Sequence, residues 1–187
     1  ANHTTEILTA LSAKGITPKW VQIGNETSNG MLWDSGKAST NGFTNYAKFI
    51  NAGSNAVKIF NNTIQTILHL SEGNNNSLFR WNIDGLINNG LNFNNIDVIG
   101  MSLYPDTDSW KTMVDNASVN VLDLKSRYIK EVMIVEVGFN ADQPSLSHQF
   151  LVYMIEKARE AGALGAFYWE PIAHGDFTSY LKGAWDE

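Results

Sequence analysis

The chain has no cysteine among its 187 residues. That removes disulfide scaffolds, thiol nucleophiles and cysteine-based zinc sites. It assigns no compartment, because exported bacterial enzymes often lack cysteine as well. There is no run of lysine or arginine, and 13 basic residues face 19 acidic ones for a net charge of −6. Nucleic acid and anionic membrane are poor partners for such a balance, and a neutral partner such as a carbohydrate fits better. No stretch is apolar for long enough to span a bilayer, and no basic region followed by an apolar segment opens the chain. If the protein is exported, its signal lies outside this sequence.

What is present suits a globular domain. Hydrophobic residues make up 43% and charged residues 17% of the chain, enough to bury a core. Asparagine is abundant, notably at 74–76 and across 88–95. Glycosylation sequons begin at Asn2, Asn25, Asn61, Asn75 and Asn116, but an Asn-rich chain produces them by chance.

Apolar runs alternate with amphipathic stretches. The pattern predicts a helix end over 7–14 stopped by Gly15, then a strand over 20–24. A helix over 43–59 follows, with Phe43, Tyr46, Ala47, Phe49, Ile50 and Ala56 available for its inner side. Next come a strand over 64–70, a helix over 78–89, a strand over 97–103, a somewhat irregular helix over 109–128 and a strand over 131–137. A helix over 145–161 with Ser145 as its cap and a last strand over 163–169 complete the reading. Strands and helices alternating at this spacing imply right-handed βαβ units and a parallel sheet. Five such strands fit either a doubly wound sheet or part of a (β/α)8 barrel. Polar residues cluster just after several strands, at Asn25, Glu26, His69, Tyr104, Glu136 and Glu170. A barrel, whose site is assembled from many strand ends, explains that distribution better. A full barrel takes about 250 residues, so the reading is an α/β chain forming a partial TIM barrel. Residues 1–187 then read as the C-terminal portion of a barrel domain, with no linker or second domain in view.

Two carboxylates carry the chemistry. Glu26 ends the run Trp20-Val21-Gln22-Ile23-Gly24-Asn25, where Asn25 can bind a sugar hydroxyl beside the acid. Glu136 sits inside the apolar run 132–139, where an unpaired carboxylate is costly to bury. The competing explanations are a capping or solvated glutamate for Glu26 and a buried ion pair for Glu136. Paired acids at the C-terminal ends of parallel strands suit glycoside hydrolysis. A retaining pair stands about 5 Å apart and an inverting pair roughly 6.5–9.5 Å apart. Trp33, Tyr104 and Trp169, with Trp110 as a further candidate, fall at loops able to offer sugar platforms, whereas Trp20 and Trp81 read as core. His69 closes a strand and could orient a carboxylate, bind substrate or simply pack. His69, His148 and His174 lack metal-ligand spacing, so no metal site and no cofactor is expected.

In these residues the sequence resembles glycoside hydrolase family 53, the endo-β-1,4-galactanases of clan A. The resemblance rests on residues 20–26, Gly30-Met31-Leu32-Trp33, Ile67-Leu68-His69-Leu70 with Gly73, and the segment 97–105. It continues with Val135-Glu136, Phe167-Tyr168-Trp169-Glu170-Pro171 and Lys182-Gly183-Ala184-Trp185, in order along almost the whole chain. It implies a (β/α)8 barrel of which these are strands four to eight with their helices. It also implies Glu26 as acid/base and Glu136 as nucleophile of a retaining reaction on galactan or arabinogalactan side chains of pectin. Asn25, His69, Tyr104, Trp169 and Trp33 would contact substrate, and the protein would be secreted, periplasmic or at the cell surface. Three departures stand out. Strands one to three and the final helix are missing. Leu103 stands where the family usually has an aromatic, and another aromatic is missing near Asp106. The loop 140–144 has only Asp142 where bacterial relatives can hold calcium, so none is expected there. The alternatives are another clan A hydrolase acting on a different β-glycan, a non-catalytic carbohydrate-binding domain, or a half-barrel that self-associates through its open sheet edges.

Overall fold

A computed structural model of the chain describes residues 1–173 and 180–184. His174 and Trp185, named above, lie outside them. The residues divide into two compact units, one of Ala1–Leu70 with Ser77–Ile99 and one of Ser71–Asn76 with Gly100–Glu187.

The first unit holds helix α1 (Asn2–Ser12), strand β1 (Trp20–Gln22), the short helix α2 (Ala38–Asn41), helix α3 (Phe43–Phe60), strand β2 (Gln65–Leu70) and nearly all of helix α4 (Asn76–Asn88). Strand β3 (Val98–Leu103) starts here. β1 and β2 pair in parallel, Trp20 opposite Gln65 and Gln22 opposite Ile67. Asp97 donates its N–H to the Thr66 carbonyl and so starts β3 beside β2. The inner face of α3 follows helical spacing through Tyr46, Ala47, Ile50, Gly53, Ser54 and Val57, all buried. Gly53 is there for a reason of space. A Cβ at that position would lie 2.7 Å from Ile23 Cγ2, so only glycine lets α3 close on the end of β1. At the opposite strand ends Lys58 meets Asp97 at 2.6 Å, and the same carboxylate accepts the Thr66 N–H at 2.7 Å. Ties at the N-terminal ends of barrel strands belong to stability rather than chemistry.

The second unit holds the end of β3, helix α5 (Trp110–Tyr128), strand β4 (Glu131–Val137), helix α6 (Pro144–Glu160) and strand β5 (Ala166–Tyr168). β4 and β5 pair in parallel, Ile134 opposite Ala166. Every residue of β3 and most of β4 is buried, which is why both read as continuous apolar runs rather than alternating ones. α5 lies against α6 through the Ser118 hydroxyl on the Lys157 carbonyl (3.3 Å) and the Tyr153 hydroxyl on Asp115 (2.7 Å). Asn120, fully buried, donates to the Gly73 carbonyl and accepts from Asn76, pinning the segment that follows β2.

The strands follow one another in chain order, β1-β2-β3-β4-β5. Each of the first four leads into a helix, which is the arrangement of a partial (β/α)8 barrel. Two expectations need correction. α6 begins at Pro144 with Gln143 as its N-cap residue and no side-chain cap, so Ser145 is inside the helix. Proline, with φ already fixed and no N–H to satisfy, takes the first turn and moves the start forward. Trp81 is not core: it is 44% exposed and meets Phe43 edge-on at 4.8 Å. Among the described residues no helix is long and apolar enough to cross a membrane.

Candidate active site

In the first unit the turn after β1 is sewn to β2. Ile23 donates its N–H to the Ile67 carbonyl, and Thr27 donates its own to the His69 carbonyl at 2.9 Å. Between them the backbone turns through positive φ at Gly24 (+79°) and at Glu26 (+44°). A non-glycine residue in the left-handed region is uncommon and costs energy, so the surrounding bonds must hold it there. They are visible. The Glu26 N–H donates to His69 Nδ1 at 3.3 Å, and the Thr27 hydroxyl donates to the His69 carbonyl at 3.0 Å. Below that, the fully buried Tyr46 hydroxyl donates to Thr27 Oγ1 at 2.7 Å. The result is a chain Tyr46–Thr27–His69 that fixes the turn, while the Glu26 side chain itself is exposed.

His69 is fully buried, and that burial pushes its imidazole down to about 4, so the ring is neutral. With Nδ1 accepting the Glu26 N–H, its proton sits on Nε2. Asn25 is exposed beside Glu26, and its Oδ1 accepts from the Gln22 amide at 3.1 Å. Thr27 and Tyr46 are the residues that sequence reading missed here. Thr27 directly follows the acid, but the packing beneath it gives no local signal.

In the second unit Glu136 is 8% exposed near the C-terminal end of β4. Tyr104, just past β3, donates its hydroxyl to Glu136 Oε2 at 3.1 Å. Burial, then the Glu136 charge, hold the Tyr104 phenol well above its ordinary value, so it stays a donor across the working pH range. Tyr180, absent from the sequence reading, stands with Tyr104 over Gly138, and its own phenol is pushed up to about 12, mainly by burial. Gly138 makes that contact possible, because a Cβ there would fall 2.2 Å from Tyr180 Oη and 2.9 Å from Tyr104 Cε1. Trp169 donates its backbone N–H to the Val137 carbonyl and leaves its side chain 46% exposed. Glu170 beside it also takes a positive φ, +42°.

The aromatic candidates separate by exposure. Trp33 is 60% exposed in the loop after β1, with its ring N–H on the Asn29 carbonyl at 3.2 Å. Trp110 is no platform: it is buried and stands edge-on to Phe150 and Tyr153. Placed at the first turn of α5, it faces α6 rather than a loop. The short loop 140–144 is taken up structurally. Asn140 accepts from Lys182 Nζ at 2.9 Å and, at its carbonyl, from the Ser147 hydroxyl.

The chain is 27% identical to a probable arabinogalactan endo-β-1,4-galactanase A of Neosartorya fischeri, over 91% of this chain and 53% of the relative. Among solved structures it is similar to the GH53 catalytic domain of Ignisphaera aggregans, at 28% identity and TM-score 0.81, over 98% of this chain and 56% of that one. It is also similar to a fungal β-1,4-galactanase, at 26% identity and TM-score 0.80, over 91% of this chain and 57% of that one. The chain thus spans about half the length of the relatives it matches. The model of glycosyl hydrolase family 53 matches residues 1–150, and the chain belongs to that family.

Proposed function

We propose that the protein carrying this chain is a retaining endo-β-1,4-galactanase acting on galactan and arabinogalactan side chains of pectin. Glu26 is its acid/base and Glu136 its nucleophile. The observation that carries the reading is Glu136 itself, a buried carboxylate at the end of a barrel strand, held by the Tyr104 hydroxyl in a family 53 chain. The similar relatives named as galactanases support the choice of substrate.

In this reading Glu26 gives its proton to the glycosidic oxygen as the bond to the anomeric carbon breaks. A Glu136 oxygen attacks that carbon and forms the glycosyl-enzyme. Glu26, now ionised, takes a proton from water, which displaces Glu136 and restores both groups. The Tyr104 hydroxyl, donating to Oε2, holds the Glu136 carboxylate in place for the attack. Asn25 binds a sugar hydroxyl, the fully buried His69 holds the Glu26 turn from beneath instead of touching the sugar, and Trp33 and Trp169 stack on sugar faces. Because pectin lies outside cells, the enzyme works as a secreted or surface protein.

The test is Glu136→Gln in the whole protein, assayed on purified galactan beside cellulose, xylan and mannan. Turnover of galactan falls by at least about 10³-fold, while oligosaccharide binding persists. The first product carries the β-anomer, read by proton NMR. Surviving activity removes Glu136 as nucleophile, an α-anomer removes the retaining mechanism, and preference for another glycan moves the assignment within clan A.

A further inference from the structure

The loop between β1 and α2 is built around one indole. Trp33 is 60% exposed, yet both sides of the loop are tied down. The Asn29 carbonyl accepts the Trp33 ring N–H at 3.2 Å and the Ala38 N–H at 3.0 Å. The Asn29 side chain clamps Ser39, accepting its N–H at 2.8 Å and donating to its hydroxyl at 3.0 Å. Gly30 lets the two arms touch, since a Cβ there would lie 1.8 Å from the Gly36 carbonyl oxygen. Across the turn the Asp34 and Ser35 carbonyls accept from the side chains of Asn41 and Asn45. Finally, the Lys37 ammonium stands 4.6 Å from the centre of the Trp33 ring.

A cation over one face of an indole is attracted to its π cloud and restrains the ring. It also leaves a single face for stacking. Galactose suits such a surface, because its axial 4-hydroxyl leaves a patch of C–H groups on the opposite face of the ring. We propose that Lys37 is a positioning residue that locks Trp33 as a one-faced stacking platform for a galactosyl unit of the substrate. Lys37 acts through the ring and touches no reacting atom. The inference rests on the galactanase reading for the identity of the sugar, but not for the platform itself.

The experiment compares Lys37→Met, Lys37→Arg and Trp33→Ala with the unaltered whole protein on galactotetraose and galactan. Lys37→Met raises KM roughly two- to five-fold with kcat unchanged, the size expected when an exposed cation–π contact is lost from uniform binding. Lys37→Arg, which keeps a cation over the ring, restores the original KM. Trp33→Ala raises KM by at least as much as Lys37→Met. The proposal is overturned if Lys37→Met leaves KM unchanged, if it lowers kcat instead, if arginine fails to rescue, or if Trp33→Ala has no effect. Binding of the galacto-, cello- and mannotetraoses, followed by tryptophan fluorescence, separates the two readings. Lys37 dependence with a glucose or mannose chain alone sinks the galactanase reading and keeps the platform. Independence of Lys37 with all three sinks the platform.

Discussion

His69 links the folding of the site to pH. Its pKa falls from the ordinary 6.5 to about 4 because the charged ring would be buried. Between those values the unfolded chain binds a proton that the folded chain refuses. Stability is therefore complete above about pH 6.5 and declines as pH falls toward 4, by at most about 3 kcal/mol. Denaturant melts at pH 7 and pH 5 check this: His69→Gln removes that share of the pH dependence, and an unchanged difference between the two pH values refutes it. Tyr104→Phe acts differently, deleting the hydroxyl on Glu136 without changing the fold. A hydrogen bond to a charged group is worth about 1.5–3 kcal/mol, so under the proposed galactanase function kcat/KM falls roughly 10- to 150-fold. An unaltered kcat/KM would mean that the bond does not matter to what Glu136 does. Glu136 stood out in the sequence because a carboxylate inside an apolar run has few innocent explanations. His69 did not, because a strand-ending histidine looks the same whether it packs or holds a neighbouring backbone N–H. Tyr180 was illegible for a related reason, since its contact is with a residue 76 positions away in the chain (180 − 104).

At the scale of elements, periodicity and the unbroken apolar runs of buried strands located the strands and the long helices to within a few residues, but missed the four-residue helix α2. Side-chain chemistry at the ends was harder to place. The sequence reads Trp110 as a loop-side platform at the start of a helix over 109–128, but it opens α5, and the packing of α5 on α6 turns its ring onto Phe150. Trp81 erred the other way: on α4 it flanks Asn82 and Ile83, which are buried, while its own ring covers Phe43 from outside. The end of β4 is the most exacting spot, because Gly138 must leave room for two tyrosine rings at once. Gly138→Ala pushes Tyr104 away from Glu136 and lowers kcat/KM at least as much as Tyr104→Phe. The double variant Gly138→Ala, Tyr104→Phe then adds little to either single change, since both remove the same bond. Full additivity in that cycle would show that Gly138 serves some other purpose.

For the whole molecule the sequence already set a limit, because about 250 residues make a barrel and this chain has 187. The structure shows what that leaves uncovered in each unit. In the first, a groove of 770 Å³ runs between α1 and β1, lined by Ile7, Leu8, Leu11, Trp20, Val21 and Phe49 among others. In the second, β5 carries Phe167 at 53% exposure and Trp169 at 46%. Apolar surface of this extent on a lone domain marks an interface or an aggregation liability. The 187 residues expressed by themselves therefore bind the dye ANS in native buffer and sediment as concentration-dependent oligomers. A longer chain in which further barrel elements cover those surfaces does neither. Removing apolar area from the first groove by Ile7→Lys and Leu11→Lys on α1 reduces the dye signal of the isolated chain while its far-UV dichroism stays the same. A monodisperse, ANS-silent chain would mean that these surfaces are satisfied within the 187 residues, and the partial-barrel account of their exposure would be wrong.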